Sequence, residues 1–428
     1  MSTPVKHSAE CGPFPADDRS AAPPGPPPRP RYGMRVAWTM TASGWSANQF
    51  SALLGAYRSE AGLTSTAVTG LFAVYVVGLI PGLLVGGPLA DRYGRRPVAL
   101  TALGLNLLST GLLMAGSVAP WWLLPGRWLT GVGAGALLAA GTAWVKELSS
   151  PPYDPVTPAA VAAKRAGLFV SAGFASGGLV AALIAQWAPY PMLTAYLPHL
   201  VLAVGAGVAA RRAPETSPAG TRPCGPGATP SGTPEPPVQW ARFRRGVLPL
   251  APWVFAAPTI GFATLPGLVD GGLTGWRTVY AGVATALAPG AGLAVQPLAR
   301  LLTARHRMAG GLAGLLAIAA GLALAASAAA GARPWLALAA TAVLGAGYGL
   351  VLSFGLTEVA ALAPRAHLAR LTSLFWTLAY TGMVTPYVLS ALSGRFGVPV
   401  LLRVGAVLAV LVTLLIGLLN RGRRTATS

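Results

Sequence analysis

The sequence predicts an all-α membrane protein of twelve transmembrane helices arranged as two pseudo-symmetric six-helix bundles, and three observations predict it. Apolar residues make up 54% of the 428-residue chain and charged residues only 10%, where a water-soluble domain carries about 25% charged residues. The apolar residues gather in about twelve runs, each near the 20 residues that a helix needs to cross the hydrocarbon core. Lys and Arg, finally, cluster in alternate gaps between those runs.

The first six expected spans are 36–57, 66–86, 98–115, 121–145, 166–187 and 192–210, and the second six are 247–268, 279–298, 310–330, 335–356, 371–392 and 398–419. Runs this long and this apolar exclude the alternating strands of a membrane barrel. Residues 1–33 hold the Pro-rich stretch 21–30 and no apolar core of a signal peptide, so they are expected to be a disordered tail. Residues 213–244, rich in Pro, Gly, Thr and Arg, read as a linker between the halves 34–212 and 245–420, and 421–428 form a basic tail.

The net charge of +20 suggests a nucleic-acid binder at first sight, but the positions of the charges exclude it. With both termini placed inside, 25 of the 31 basic residues lie in the inside segments and four lie outside, Arg58, Arg277, Arg333 and Arg395. Cytoplasmic loops keep Lys and Arg, so this asymmetry predicts a multi-pass protein of the inner membrane with both termini cytoplasmic. Cys11 and Cys224 fall in the cytoplasmic stretches, where disulfides rarely persist. His7, His199, His306 and His367 have no metal-ligand spacing, and neither metal nor cofactor is expected.

The two halves echo each other. Pro88-Leu89-Ala90-Asp91 corresponds to Pro297-Leu298-Ala299-Arg300, and Gly131-Val132-Gly133-Ala134-Gly135 to Gly345-Ala346-Gly347-Tyr348-Gly349, with Gly141 and Gly355 at the same offset.

The stretch Gly86-Gly87-Pro88-Leu89-Ala90-Asp91-Arg92-Tyr93-Gly94-Arg95-Arg96-Pro97 resembles the signature of the major facilitator superfamily between its second and third helices, and Arg127-Trp128-Leu129-Thr130-Gly131-Val132-Gly133 resembles that family's second motif. Gly87 removes a side chain where helices approach, Gly94 allows the reversal and Pro97 starts the next helix. The resemblance makes Asp91 the pivot of a charge cluster with Arg95, Glu147 and Arg165 that holds the halves together in one state and releases them in another. Arg92 and Arg96 join it or are solvated loop charges. Glu358 and Arg370 echo Glu147 and Arg165, while Arg300 stands where the first half has its acid.

Arg127, about 9 Å below the helix end at 1.5 Å per residue, either faces a polar interior or snorkels to the outer headgroups. The family's first, fourth, seventh and tenth helices line a central cavity. That makes Thr41, Trp45, Asn48, Gln49, Phe255, Thr259, Phe262, Tyr348 and Ser353 the expected contacts, with Trp376 and Tyr380 of the eleventh closing an aromatic pocket. Proton-coupled exporters of this family place an acid within the first or fourth helix. Here no carboxylate lies deep in any span, the fifth span around Gly173, Gly177 and Gly178 lacks the exporters' proline, and Asp270 near the outer end of the seventh is the nearest acid. Coupling to the proton gradient is left open, and a cavity whose buried charge is cationic favours neutral or anionic substrates.

The resemblance thus implies a monomeric secondary transporter of small molecules in the lipid bilayer, not an enzyme. Efflux of drug-like or metabolite compounds is the first expectation, and import of a sugar, amino acid or organic acid is the alternative. A membrane enzyme or a non-transporting scaffold comes last.

Overall fold

A computed structural model describes residues 31–217, 238–362 and 368–421. Every described regular element is helical. In the first half these are α1 (Tyr32–Ala52, with a further turn Leu54–Ser59), α2 (Ser65–Tyr93), α3 (Arg95–Ala115), α4 (Leu123–Leu148), α5 (Ala159–Trp187) and α6 (Leu197–Ala210). In the second they are α7 (Trp253–Thr259, continued by a π-helical turn Ile260–Thr264), α8 (Arg277–Ala294, then Gln296–Arg305), α9 (Ala309–Ala330), α10 (Pro334–Leu362), α11 (Leu368–Thr381, then Thr385–Phe396) and α12 (Val398–Arg421). Nine described helices are long and apolar enough to cross a membrane by length and composition; α1, α7 and α11 are not among them. Of those three, α1 is polar and largely buried, and α7 and α11 are interrupted by turns. Elsewhere Val77, Leu108, Val201, Leu411 and Leu415 stand exposed, an apolar surface too large for water and suited to lipid.

Local chemistry sets the helix ends. The Thr64 hydroxyl caps α2 by accepting the Ala67 amide at 3.1 Å. Gly94 (φ 101°) breaks the chain between α2 and α3, and Gly397 (φ 68°) does so between α11 and α12. Prolines open α6 and α10. The expected boundary differs at α2, which runs on to Tyr93, so Asp91 and Arg92 are helical residues rather than loop residues. Pro81 and Pro88 sit inside that helix without ending it.

The repeated glycines do the same work in both halves. A Cβ at Gly131 or Gly135 of α4 would overlap the carbonyls of Tyr75 and Leu79 on α2, and one at Gly345 or Gly349 of α10 those of Ala288 and Gly292 on α8. Backbones therefore touch along α2–α4 and along α8–α10, the small-residue packing that replaces the hydrophobic effect between helices in lipid.

The apolar core has three parts. One fills the second half around Leu250, Leu315, Leu344 and Phe375. A second fills the first half near its basic end, around Met40, Leu103, Leu137 and Trp144. The third joins the halves at the opposite, far end, packing Phe50, Phe72 and Tyr75 with Phe262, Tyr380 and Met383. Polar contacts cross there too: Thr66 to Ser390 at 3.2 Å, and the Gln186 amide to the Gly275 carbonyl at 2.8 Å. At the basic end, by contrast, Gly87 has nothing within 4 Å of where a Cβ would stand and the Asp91 side chain is 54% exposed. The halves thus pack together at the far end, beneath a cavity that opens outward there, while at the basic end Gly87 and Asp91 face open space.

Candidate functional site

Arg127 stands one turn into α4 and is fully buried. Its guanidinium carbon lies 4.3 Å from the ring centre of Phe50, 4.8 Å from Tyr75 and 5.7 Å from Phe72, and its Nε donates to the Leu71 carbonyl at 3.4 Å. Both terminal nitrogens lack a hydrogen-bond partner among the described residues. Among the described residues no carboxylate reaches it. A side chain with no exposed surface is not snorkelling, which leaves the inward-facing orientation. Phe50 in turn stacks on Tyr57 at 4.8 Å, and the Tyr57 and Tyr196 hydroxyls are bonded to each other.

Facing this cage from the second half is a second aromatic group that brings four expected residues together. Phe255 stacks on Tyr380 at 4.4 Å, with Tyr348 and Trp376 at 6.0 and 6.2 Å. Phe72 meets Phe262 across the halves with centroids 6.1 Å apart. Trp45 is packed against Gly177 with its indole N–H unpartnered.

Other residues are placed differently from the expectation. The Asn48 amide donates to the Phe174 carbonyl on α5 at 2.7 Å and accepts from Ser51 at 3.0 Å. Gln49 turns into the first bundle, where it reaches Thr110 at 3.4 Å and, through it, the buried His199 at 2.9 Å. Adjacent residues on a helix point about 100° apart, so the pair cannot share one cavity face. Thr259 donates to the Phe255 carbonyl on its own helix at 2.7 Å, as does Thr41 to Phe169 at 3.1 Å on α5.

At the far end a cavity of about 540 Å³ opens between the halves, lined among others by Arg58, Phe262, Thr264, Asp270, Arg277 and Ser390. Asp270 is therefore set in a different compartment from Arg127, and Arg277 bonds its backbone carbonyl at 3.1 Å.

The basic end holds the charge cluster. Arg95 bonds Asp91 at 2.7 Å and approaches Glu147 at 3.4 Å. Arg165 stands apart from it, bonded to Ser149 at 2.7 Å and within 3.8 Å of Asp154. The Asp154 carboxyl is held below its ordinary range chiefly by the Thr157 hydroxyl, then by amides of the same turn and by Arg165. Arg92 lies 5.2 Å over Tyr93 in an exposed position. In the second half Arg307 donates to both Glu358 oxygens through its Nε and one terminal nitrogen; the Arg370 side chain, Cys11, Cys224, His7 and His367 lie outside the described residues.

Sequence reasoning missed Glu215. Its carboxylate accepts the amides of Arg95 and Arg96 at 2.8 and 2.9 Å, capping α3, and those of Thr216 and Ser217 at 2.9 Å. A side chain at Gly94 would strike that carboxylate. Thr216 bonds Glu147, and the Trp144 indole donates to the Pro214 carbonyl at 3.0 Å. The available signal was an acid just after a helix end at Pro214, free to seek a helix N-terminus. Among the described residues no His, Cys, Asp and Glu group could hold a metal.

Comparison with known proteins follows the same lines. The chain is 37% identical over 86 residues to the 3-(3-hydroxy-phenyl)propionate transporter of Escherichia coli, covering 19% of this chain and 20% of the relative. It is 32% identical over 152 residues to the 4-hydroxybenzoate transporter PcaK of Pseudomonas aeruginosa (35% and 32% covered), and 34% identical over 76 residues to multidrug resistance protein MdtL of Klebsiella pneumoniae (18% and 19% covered). The chain thus matches a fifth to a third of the length of these relatives. Its fold is that of a POT family transporter solved with 5-aminolevulinic acid (TM-score 0.71, 14% identity, 91% of this chain and 96% of that one). It also matches a D-xylose-proton symporter (TM-score 0.67, 15% identity, 90% and 96% covered). Residues 36–385 match the Major Facilitator Superfamily, and the chain, a multi-pass membrane protein, belongs to that family.

Proposed function

We propose that the protein exports small, partly apolar organic anions, aromatic ones foremost, across the inner membrane by alternating access, as a twelve-pass monomer with its basic end and both termini in the cytoplasm. The observation that carries the reading is Arg127: a buried cation whose two terminal nitrogens are free among the described residues, held among rings and with no carboxylate partner among them. Such a charge is costly unless something pairs with it for part of the cycle. A carboxylate is the anion that a guanidinium fork fits bidentately. The aromatic acids named in two relatives agree with that chemistry.

Direction follows from electrostatics. A potential negative inside drives a monoanion outward with about 2.3 kcal/mol per 100 mV, roughly a fifty-fold gradient. Import, the alternative, has to overcome that same term with a co-transported cation. Each acid of the described spans lies within about a turn of a helix end, none at mid-membrane.

In this reading the state described is open to the cytoplasm. Substrate enters beside Gly87, the halves rock, and Asp91 with Arg95 and Glu147 closes the basic end while the Thr66–Ser390 and Gln186–Gly275 contacts part. Proteoliposomes loaded with labelled benzoate test it. A valinomycin-imposed potential, negative on the side of the basic end, should speed benzoate loss from that side and leave benzamide unmoved. Benzoate flux that ignores the sign of the potential would overturn the electrogenic export.

A further inference from the structure

The cage around Arg127 is completed by a ring from the other half. Phe262 is part of the wall of the far-end cavity; behind it stands Phe72, edge-on with centroids 6.1 Å apart, and behind Phe72 the guanidinium. The Arg127 side chain itself has no exposed surface. Cavity wall, Phe262, Phe72 and a cation with two donors to offer are therefore in successive contact.

Phe262 is also carried on an unusual piece of backbone. It is the middle residue of the π-helical turn Ile260–Thr264, which begins two residues after Pro258, and the Gly261 carbonyl beside it is capped across the bundle by the Thr341 hydroxyl at 3.2 Å. Single π turns inside helices concentrate at functional positions. The turn here re-aims one ring out of the α-helical register and against the first half.

We infer that Phe262 is a specificity-determining residue: in the empty protein closed at the far end its ring fills the slot against Phe72, and the ring of an aromatic carboxylate arriving from the basic end displaces it from that slot. The carboxylate then meets the two free terminal nitrogens of Arg127. The inference rests on Arg127 being the anion anchor proposed above. Phe72 prefers another ring at its edge or face over an aliphatic group of equal size, so the slot selects aromatic over saturated carboxylates. Phe262 competes with the substrate for it. Its release from Phe72 and the seating of the substrate ring are then one exchange of like for like, which keeps the cage dry throughout.

Titration calorimetry on the full chain in lipid nanodiscs tests this with benzoate as probe and cyclohexanecarboxylate as the saturated anion of equal charge. Phe262→Ala, which empties the slot, should tighten benzoate by about five- to tenfold, in proportion to a lost ring pair, and should tighten cyclohexanecarboxylate less. Phe262→Trp, which overfills it, should weaken benzoate, so the pair remains informative if one variant fails to fold. Arg127→Gln should abolish binding of both anions. Unchanged benzoate affinity in the Phe262 variants, with binding lost in Arg127→Gln, overturns the role of Phe262 and leaves the anchor standing. Equal shifts for the two anions overturn the aromatic selectivity. Benzoate binding that survives in Arg127→Gln, or is absent from every form, overturns the anchor and the inference together.

Discussion

Replacing Arg127 by Met separates a residue kept for packing from one kept for transport. Methionine follows the same channel with a flexible unbranched chain and carries no charge. The substitution removes cation–π contact with three rings, about 0.5–2 kcal/mol each when desolvated. It also removes two buried, unpartnered donor groups, each costing about 1–3 kcal/mol, together with the desolvation of the charge itself. Buried charges exchanged for apolar residues of similar volume are commonly neutral or stabilising by about 1–4 kcal/mol. The expected result is a variant that melts at the parental temperature or a few degrees above it in detergent and binds no benzoate. Thermal unfolding followed by tryptophan fluorescence, paired with counterflow in proteoliposomes, reads both quantities on one preparation. A variant that melts well below the parent and still transports would refute the reasoning, because Arg127 would then be a structural residue.

Three further changes probe the rest of the molecule. Glu215→Ala removes a carboxylate cap worth about 1–2 kcal/mol, so amide exchange at Arg95 and Arg96 should accelerate by about tenfold; unchanged protection would show that the cap is idle. Asp91→Asn breaks a half-exposed ion pair of little stabilising value, about 0–1 kcal/mol. Expression and melting should therefore hold while transport falls, and a variant that transports normally removes Asp91 from the gate. Gly131→Leu drives a side chain into the α2 backbone and should cost the folded yield on size-exclusion chromatography, whereas Gly104→Leu, in open space on α3, should behave as the parent.

The architecture was legible because lipid imposes it: length of apolar run, basic loops and glycine repeats each answer to one physical constraint. The aromatic site was legible in part. Phe255, Tyr348, Trp376 and Tyr380 were grouped through the helices that the family resemblance assigns to the cavity, and the rings of the other three stand 4.4–6.2 Å from that of Phe255. Asn48 and Gln49 were not legible, because a polar residue in a bundle interior bonds the nearest carbonyl or hydroxyl, and which neighbour that is depends on rotation about the helix axis. Glu215 lay in a segment whose composition reads as linker, and its role appears only when the chain folds back upon the start of α3. The π turn at Phe262 follows Pro258, yet a proline predicts a break without predicting which ring it will turn.

The touching backbones of α2 with α4 and of α8 with α10 bear on how force travels through the molecule. A bundle that rocks needs stiff arms and a compliant joint. Helices separated by long side chains slide and absorb a displacement within their packing, whereas two backbones in direct contact have no soft layer to compress. Each glycine seam therefore makes its pair a single beam over the turns where the backbones meet. A displacement at the Asp91 end is then expected to be carried by α2 and α4 together, with the interrupted rods α7 and α11 as the places to bend.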